Sequence, residues 1–144
     1  MEDRQRLEQM VNEINMYQGQ VDVLKQQIES VQSSIAELAS AEETLEAIKG
    51  KENTETFVPI GAGSFLITEL KNTDEVIMGL GAGAAAKKNI DEAKESISSQ
   101  RKELEQLTDK MVGDVQKLTD YIVRKSPEAE ALLRKVESEE APRQ

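Results

Sequence analysis

The 144-residue chain has no cysteine, no histidine and no tryptophan, and aromatic residues make up only 3% of it. Without cysteine, disulfides and thiolate metal sites are excluded. Without histidine, the commonest transition-metal ligand and the usual general base are missing, so no serine has an imidazole partner. Neither a metal nor a cofactor is expected. Lys and Arg number 18 against 28 Asp and Glu, a formal charge of −10, with pI near 4.6. Nucleic acid requires a basic face and is not an expected partner. No apolar run is long enough to span a bilayer, and Met1-Glu2-Asp3-Arg4-Gln5 is unlike a signal peptide, so no membrane partner and a cytoplasmic location are expected.

What the chain does have is apolar residues arranged in stripes. Leu7, Met10, Ile14, Tyr17, Val21, Leu24, Ile28, Val31, Ile35, Leu38 and Leu45 follow one another at alternating three- and four-residue steps. This spacing puts one apolar seam along a helix. It predicts a helix from about Asp3 to about Lys49, roughly 65–70 Å long, stopped at Gly50. Glu42 occupies a seam position and weakens the seam before the helix ends. A second seam, Ile90, Ile97, Leu104, Leu107, Met111 and Leu118, has Ala93, Gln100 and Asp114 at its alternate positions, with Val115 and Ile122 one step off register. Asn89 and Glu92 read as its capping pair. Ser126-Pro127 reads as a new cap and first helical residue, opening a short helix over 127–138. The last residues, 139–144, are expected to be disordered.

Between the helices the composition changes. Residues 56–60 and 64–70 are rich in β-branched and aromatic side chains and are separated by Gly61-Ala62-Gly63, a hairpin signature. Lys71-Asn72-Thr73-Asp74 forms a turn before a third strand over 75–80. Residues 84–88 complete a second hairpin if they are strand, which the need for a partner favours over alanine's helix propensity. The expected organisation is a helix over 1–49, a two-hairpin segment over 50–88 and a second helix over 89–138. The fold is mainly α with a small β insert, a long antiparallel two-helix coiled coil joined by two β-hairpins. Phe57, Ile60, Phe65, Ile67, Val76 and Met78 are too many apolar groups for two isolated hairpins to cover. Either hairpins of several subunits assemble into an intersubunit β-barrel platform, or the hairpins fold back on the coiled coil.

Antiparallel pairing also brings Leu7, Met10 and Val11 level with Leu132, Leu133 and Val136. Two readings stand here: an apolar binding tip, or the last layers of the seam. Gly79-Leu80-Gly81-Ala82-Gly83-Ala84 satisfies a dinucleotide fingerprint literally, and Glu103 follows at the distance of a ribose-binding acid. No second parallel strand returns after it, so the glycines are assigned to tight turns. The carboxylates read as solvated faces, and no catalytic residue is expected.

The segments Phe57-Val58-Pro59-Ile60-Gly61-Ala62-Gly63-Ser64-Phe65 and Val76-Ile77-Met78-Gly79-Leu80-Gly81-Ala82-Gly83, set between two long coiled-coil helices, resemble the prefoldin family in its archaeal alpha type. The two-hairpin insert separates that type from the one-hairpin beta type. The resemblance implies a heterohexamer with smaller beta subunits, two alpha with four beta, built on a double β-barrel platform. It implies an ATP-independent co-chaperone that captures unfolded protein clients and passes them to a group II chaperonin. Subunit assembly would fall to Phe57, Val58, Ile60, Phe65, Ile67, Val76 and Met78. Client capture would fall to Leu7, Met10, Val11, Leu132, Leu133 and Val136. A structural tether or scaffold adaptor with one specific partner is the alternative.

Overall fold

The computed structural model describes residues 2–140. Helix α1 spans Glu2–Ile48, and strands β1 (Glu55–Gly61), β2 (Ser64–Glu69), β3 (Glu75–Gly81) and β4 (Ala84–Asn89) lead into helix α2 (Ile90–Glu140). The chain divides into two compact units, Ser33–Glu105 and Met1–Gln32 with Gln106–Gln144.

In the unit Ser33–Glu105, α1 ends where Gly50 turns left-handed, at φ 71°, and the Lys51 amide donates to the Ile48 carbonyl at 3.1 Å. The strands form two separate two-stranded antiparallel sheets, β1–β2 and β3–β4. Their registers repeat with an offset of twenty residues: Phe57 faces Ile67 as Ile77 faces Lys87, and both ladders shift at the residue before the turn glycine. Each turn runs Gly-Ala-Gly with all three residues at positive φ. This conformation matches the twist of paired strands but is unfavourable for Ala62 and Ala82. The Asn72 carboxamide accepts from the amides of Asp74 and Glu75 and turns the chain between the hairpins. Residues 84–88 are strand, and Asn89 then caps α2, its side chain accepting from the Glu92 amide at 2.8 Å.

The core of this unit is Leu45, Ile90, Ala93 and Ile97, with Leu38, Ala41, Ile48, Val76 and Met78 packed around it. The two helix segments are antiparallel, because Lys49 pairs with Asp91, Glu46 with Lys94 and Glu42 with Arg101. In the unit Met1–Gln32 with Gln106–Gln144, Tyr17 and Tyr121 meet edge to face at 4.9 Å, and Asp3 pairs with Lys135. Val21, Met111, Ala129 and Val136 are buried.

Three expectations are corrected. First, the α2 seam does not use Gln100 and Leu107, both of which are exposed. It steps by four from each of Ile90, Ile97, Leu104, Met111 and Leu118, so that Lys94, Arg101, Thr108, Val115 and Ile122 turn inward. Val115 and Ile122 are therefore in register. These residues share the inward stripe with Ala93, which is fully buried, and Tyr121, which meets Tyr17. Second, no short helix starts at Pro127, because α2 runs through it. Ala129, Leu132 and Val136 continue the buried or half-buried stripe beyond it, and that packing outweighs the proline's helix-breaking tendency. Third, Glu139 and Glu140 of the expected disordered tail are helical; residues 141–144 lie outside the described residues.

Candidate functional site

Two apolar surfaces stand out, one in each unit. The first is the hairpin pair. Along β1–β2, Phe57, Pro59, Phe65 and Ile67 share one face, and Val58, Ile60 and Leu66 share the other. Both faces are exposed: Phe57 is 63% and Ile67 72% accessible, and Val58, Ile60, Phe65 and Leu66 are also open. In β3–β4 the faces differ. Val76, Met78, Ala86 and Lys88 are half-buried, with Val76 and Met78 against the helical core, while Ile77, Gly79, Ala85 and Lys87 face outward. Val76 and Met78 are thus engaged within their own protomer. Five of the seven expected assembly residues (Phe57, Val58, Ile60, Phe65 and Ile67) are uncovered among the described residues. Leu66, Ile77 and Leu80 are exposed as well and were not among the expected residues. Strand register was the signal for Leu66, which faces Val58, and for Ile77, which lies between Val76 and Met78; Leu80 is the unpaired residue before the turn glycine.

The fingerprint glycines Gly79, Gly81 and Gly83 lie in this second antiparallel hairpin, with no parallel strand following it. They shape a turn, and the dinucleotide geometry is not formed.

The second surface lies where α1 begins and α2 ends. Arg6, Met10, Glu128, Ala131, Leu132 and Lys135 line an open groove of about 460 Å³. Of the six residues expected there, Val136 is buried, Leu7, Met10 and Leu132 are half-buried, and Val11 and Leu133 are exposed. The burial of Val136 places it within the seam. The groove is bracketed by Asp3–Lys135 at 3.0 Å and Arg4–Glu140 at 3.2 Å. The Lys135 ammonium donates to the Asp3 carboxylate and holds its pKa below the usual value, and Asp3 in turn raises that of Lys135. Further along this unit Met16, Gly19 and Val23 line an apolar groove on α1, and Val23 shares a second with Leu107 and Met111. The one-heptad spacing of Met16 and Val23 was a readable signal for this stripe.

No helix is long and apolar enough to cross a membrane among the described residues. Uncovered hairpins joined to antiparallel helices are an arrangement found among known proteins. The Prefoldin family model, described as prefoldin subunit, matches residues 17–135. The chain belongs to the prefoldin family. It is 49% identical over 132 residues to prefoldin subunit alpha of Methanobrevibacter smithii, covering 92% of this chain and 90% of that one. It is 42% identical to prefoldin subunit alpha of Methanosphaera stadtmanae over 134 residues, 93% of this chain and 96% of that one. Among solved structures, a filamentous PFD from Methanocaldococcus jannaschii has a TM-score of 0.68 at 22% identity, covering 78% of this chain and 94% of that chain, and shares the fold. Prefoldin is a co-chaperone family and not an enzyme family, and this chain's role is that of a prefoldin co-chaperone subunit. Prefoldin subunits assemble with other prefoldin subunits in oligomers.

Proposed function

We propose that this chain is the alpha subunit of a cytoplasmic heterohexamer, two alpha with four smaller beta subunits, that captures non-native proteins without ATP and passes them to a group II chaperonin. No catalysis, nucleic acid or membrane enters this reading. The observation that carries it is the β1–β2 hairpin, which is apolar on both faces and uncovered on both among the described residues. A two-stranded ribbon of this kind is not stable alone in water and exposes strand edges. Hairpins from other subunits would cover the faces and pair the edges, making the barrel platform. Phe57, Val58, Ile60, Phe65 and Ile67 are the assembly residues, with Val76 and Met78 anchoring the second hairpin to its helices.

Client capture falls to Leu7, Met10, Val11, Leu132, Leu133 and Val136. An unfolded chain offers apolar groups without fixed geometry. Several weak apolar sites on one platform bind it by raising effective concentration, and each contact stays weak enough to release. The acidic surface keeps such subunits soluble despite those sites.

The test is to purify the chain with its partner subunits and dilute a denatured client into it without ATP, following light scattering. Suppressed aggregation at near-stoichiometric ratios is expected. Unchanged aggregation with an intact assembly would favour a tether with one defined partner.

A further inference from the structure

The face of α1 turned away from the seam lacks what an exposed helix face normally carries. Two residues on from successive seam positions stand Asn12, Met16, Gly19, Val23, Gln26 and Ser30, and every one is exposed. None is charged, in a chain of which charged residues make up 32%. Between Gln9 and Gln32 only Glu13, Asp22, Lys25 and Glu29 are charged, and none falls on this stripe, whereas the equal length of α2 over 106–129 holds eight charged residues. Mixed charge is what keeps a solvated face free of partners, so a stripe without it is suited to contact.

Its centre is apolar and open to close approach. Met16 is 53% and Val23 54% accessible, and with Gly19 and Gln20 they line an open groove of about 580 Å³. Glycine is a poor residue for a helix interior. Beyond the local helix backbone, nothing among the described residues lies within 4 Å of where a Gly19 Cβ would stand. Packing within the protomer therefore gives no reason for this glycine. Close approach of another backbone does.

The stripe also matches itself. Turning a second copy about the point midway between Gly19 and Gln20 lays Met16 on the partner's Val23 and Val23 on the partner's Met16. The same rotation sets Gly19 against the partner's Gln20, small against long. It brings Asn12 level with the partner's Gln27, each amide offering both a donor and an acceptor. Such reciprocal pairing is the rule of a two-fold contact. Charge favours the antiparallel sense, because a parallel pair in register would bring Asp22 and Glu29 each level with its own copy.

We propose that the outer stripe of α1 is a docking face for a second copy of this chain, the two helices crossing antiparallel at Gly19 and Gln20. Two copies each carry a formal charge of −10, and on this stripe they meet without like-charge repulsion. From Asn12 to Gln27 the stripe is about 22 Å long, too short to bury the roughly 800 Å² per partner of a stable interface. The contact is therefore weak by itself and forms where oligomer assembly already concentrates the chains. It needs neither client nor chaperonin, so it stands apart from the co-chaperone reading.

The absence of cysteine makes the test direct. Oligomers are assembled from Met16→Cys chains, from Val23→Cys chains and from an equal mixture of both, and each preparation is mildly oxidised. In the antiparallel contact position 16 faces position 23, whereas like positions lie about 10 Å apart along the helices, beyond disulfide reach. The mixture is expected to give several-fold more disulfide-linked dimer of this chain than either variant alone. Gln20→Glu, added to both chains, sets two carboxylates side by side at the crossing. It is expected to cut that yield several-fold at unchanged helix content by circular dichroism. Equal yields in the three preparations, more dimer from a single variant, or a yield indifferent to Gln20→Glu overturns the docking face. So does an absence of dimer; thiols then shielded from maleimide only in the presence of denatured client would give the stripe to clients instead.

Discussion

The Arg101 guanidinium Nε donates to the Glu42 carboxylate Oε2 at 3.1 Å, and both side chains sit on the inward stripes of their helices, 24% and 17% exposed. Each residue read alone looks like a defect in an apolar seam. Together they form one polar layer, extended by Arg101 to Glu105 Oε1 at 2.8 Å. The arginine's pKa is raised by its bonds to Glu105 and Glu42. The second Glu42 oxygen is buried without a hydrogen-bond partner among the described residues. Such a layer contributes less to stability than apolar packing would, but it disfavours any helix register that separates the pair. Arg101→Leu should lower the melting midpoint by stranding Glu42. Arg101→Leu with Glu42→Leu should recover or exceed the original midpoint while allowing mixed registers, detected as extra cross-linking products between the helices. A double variant less stable than the single one would sink this account.

Ala62 and Ala82 adopt φ of 52° and 51° at matching turn positions. A left-handed alanine costs roughly 1–2 kcal/mol, and asparagine tolerates this region better. Ala62→Asn and Ala82→Asn should each stabilise the protein by about 0.5–1 kcal/mol in denaturant titration. Destabilisation by either would mean that the turn's small side chain is needed for contact with another subunit.

Phe65 is exposed on the doubly apolar hairpin. Phe65→Asp places a charge where another subunit's hairpin is expected, and burying an unpaired carboxylate is strongly unfavourable. The variant should fail to reach oligomer mass by light scattering, with helix content by circular dichroism nearly unchanged. A full-mass oligomer would remove β1–β2 from the interface.

Leu132 and Leu133 lie on the inner edge and the outer side of the α2 terminus. Leu132→Ser with Leu133→Ser should lower client holding several-fold at unchanged oligomer mass. It should also loosen the local seam by roughly 1–3 kcal/mol, because a half-buried leucine is lost. Holding that survives intact would shift client capture to the Met16–Val23 stripe.

Asp3 and Asp91 have pKa values lowered by Lys135 and Lys49, and those lysines have raised ones. For the carboxylates, the unfolded chain binds protons more readily, so their contribution is present above about pH 3.8 and lost as pH falls through the lower folded value. For the lysines the contribution is present below about pH 10.5 and lost as pH rises through the higher folded value. Thermal midpoints should therefore be flat between these limits and fall outside them, with both limbs reduced at high salt. Asp3→Asn and Asp91→Asn together should flatten the acid limb. An unaltered limb would assign it to other groups.

The α1 seam was readable because almost every inward residue is apolar and their spacing alternates three and four. The hairpins were readable because Gly-Ala-Gly punctuates two runs of strand-forming residues, and Asn89 announced the start of α2. The α2 seam was not, since Lys94, Arg101 and Thr108 hold inward positions and an apolar pattern cannot reveal them. Only the opposite helix, which supplies Glu46 for Lys94 and Glu42 for Arg101, makes those positions tolerable. Likewise, residues 127–138 carry the local marks of a separate helix. Packing of Ala129, Leu132 and Val136 along α1 keeps the helix unbroken. Of the candidate surfaces, apolar content was legible but coverage was not. Val76 and Met78 look no different from Phe57 and Ile67 in the chain, yet β4 runs straight into α2 and lays the second hairpin against the helical core. Periodicity and turn chemistry are local properties and can be read along a chain. Which apolar side chain is covered depends on residues far away in sequence, and that is settled only when the chain has closed on itself.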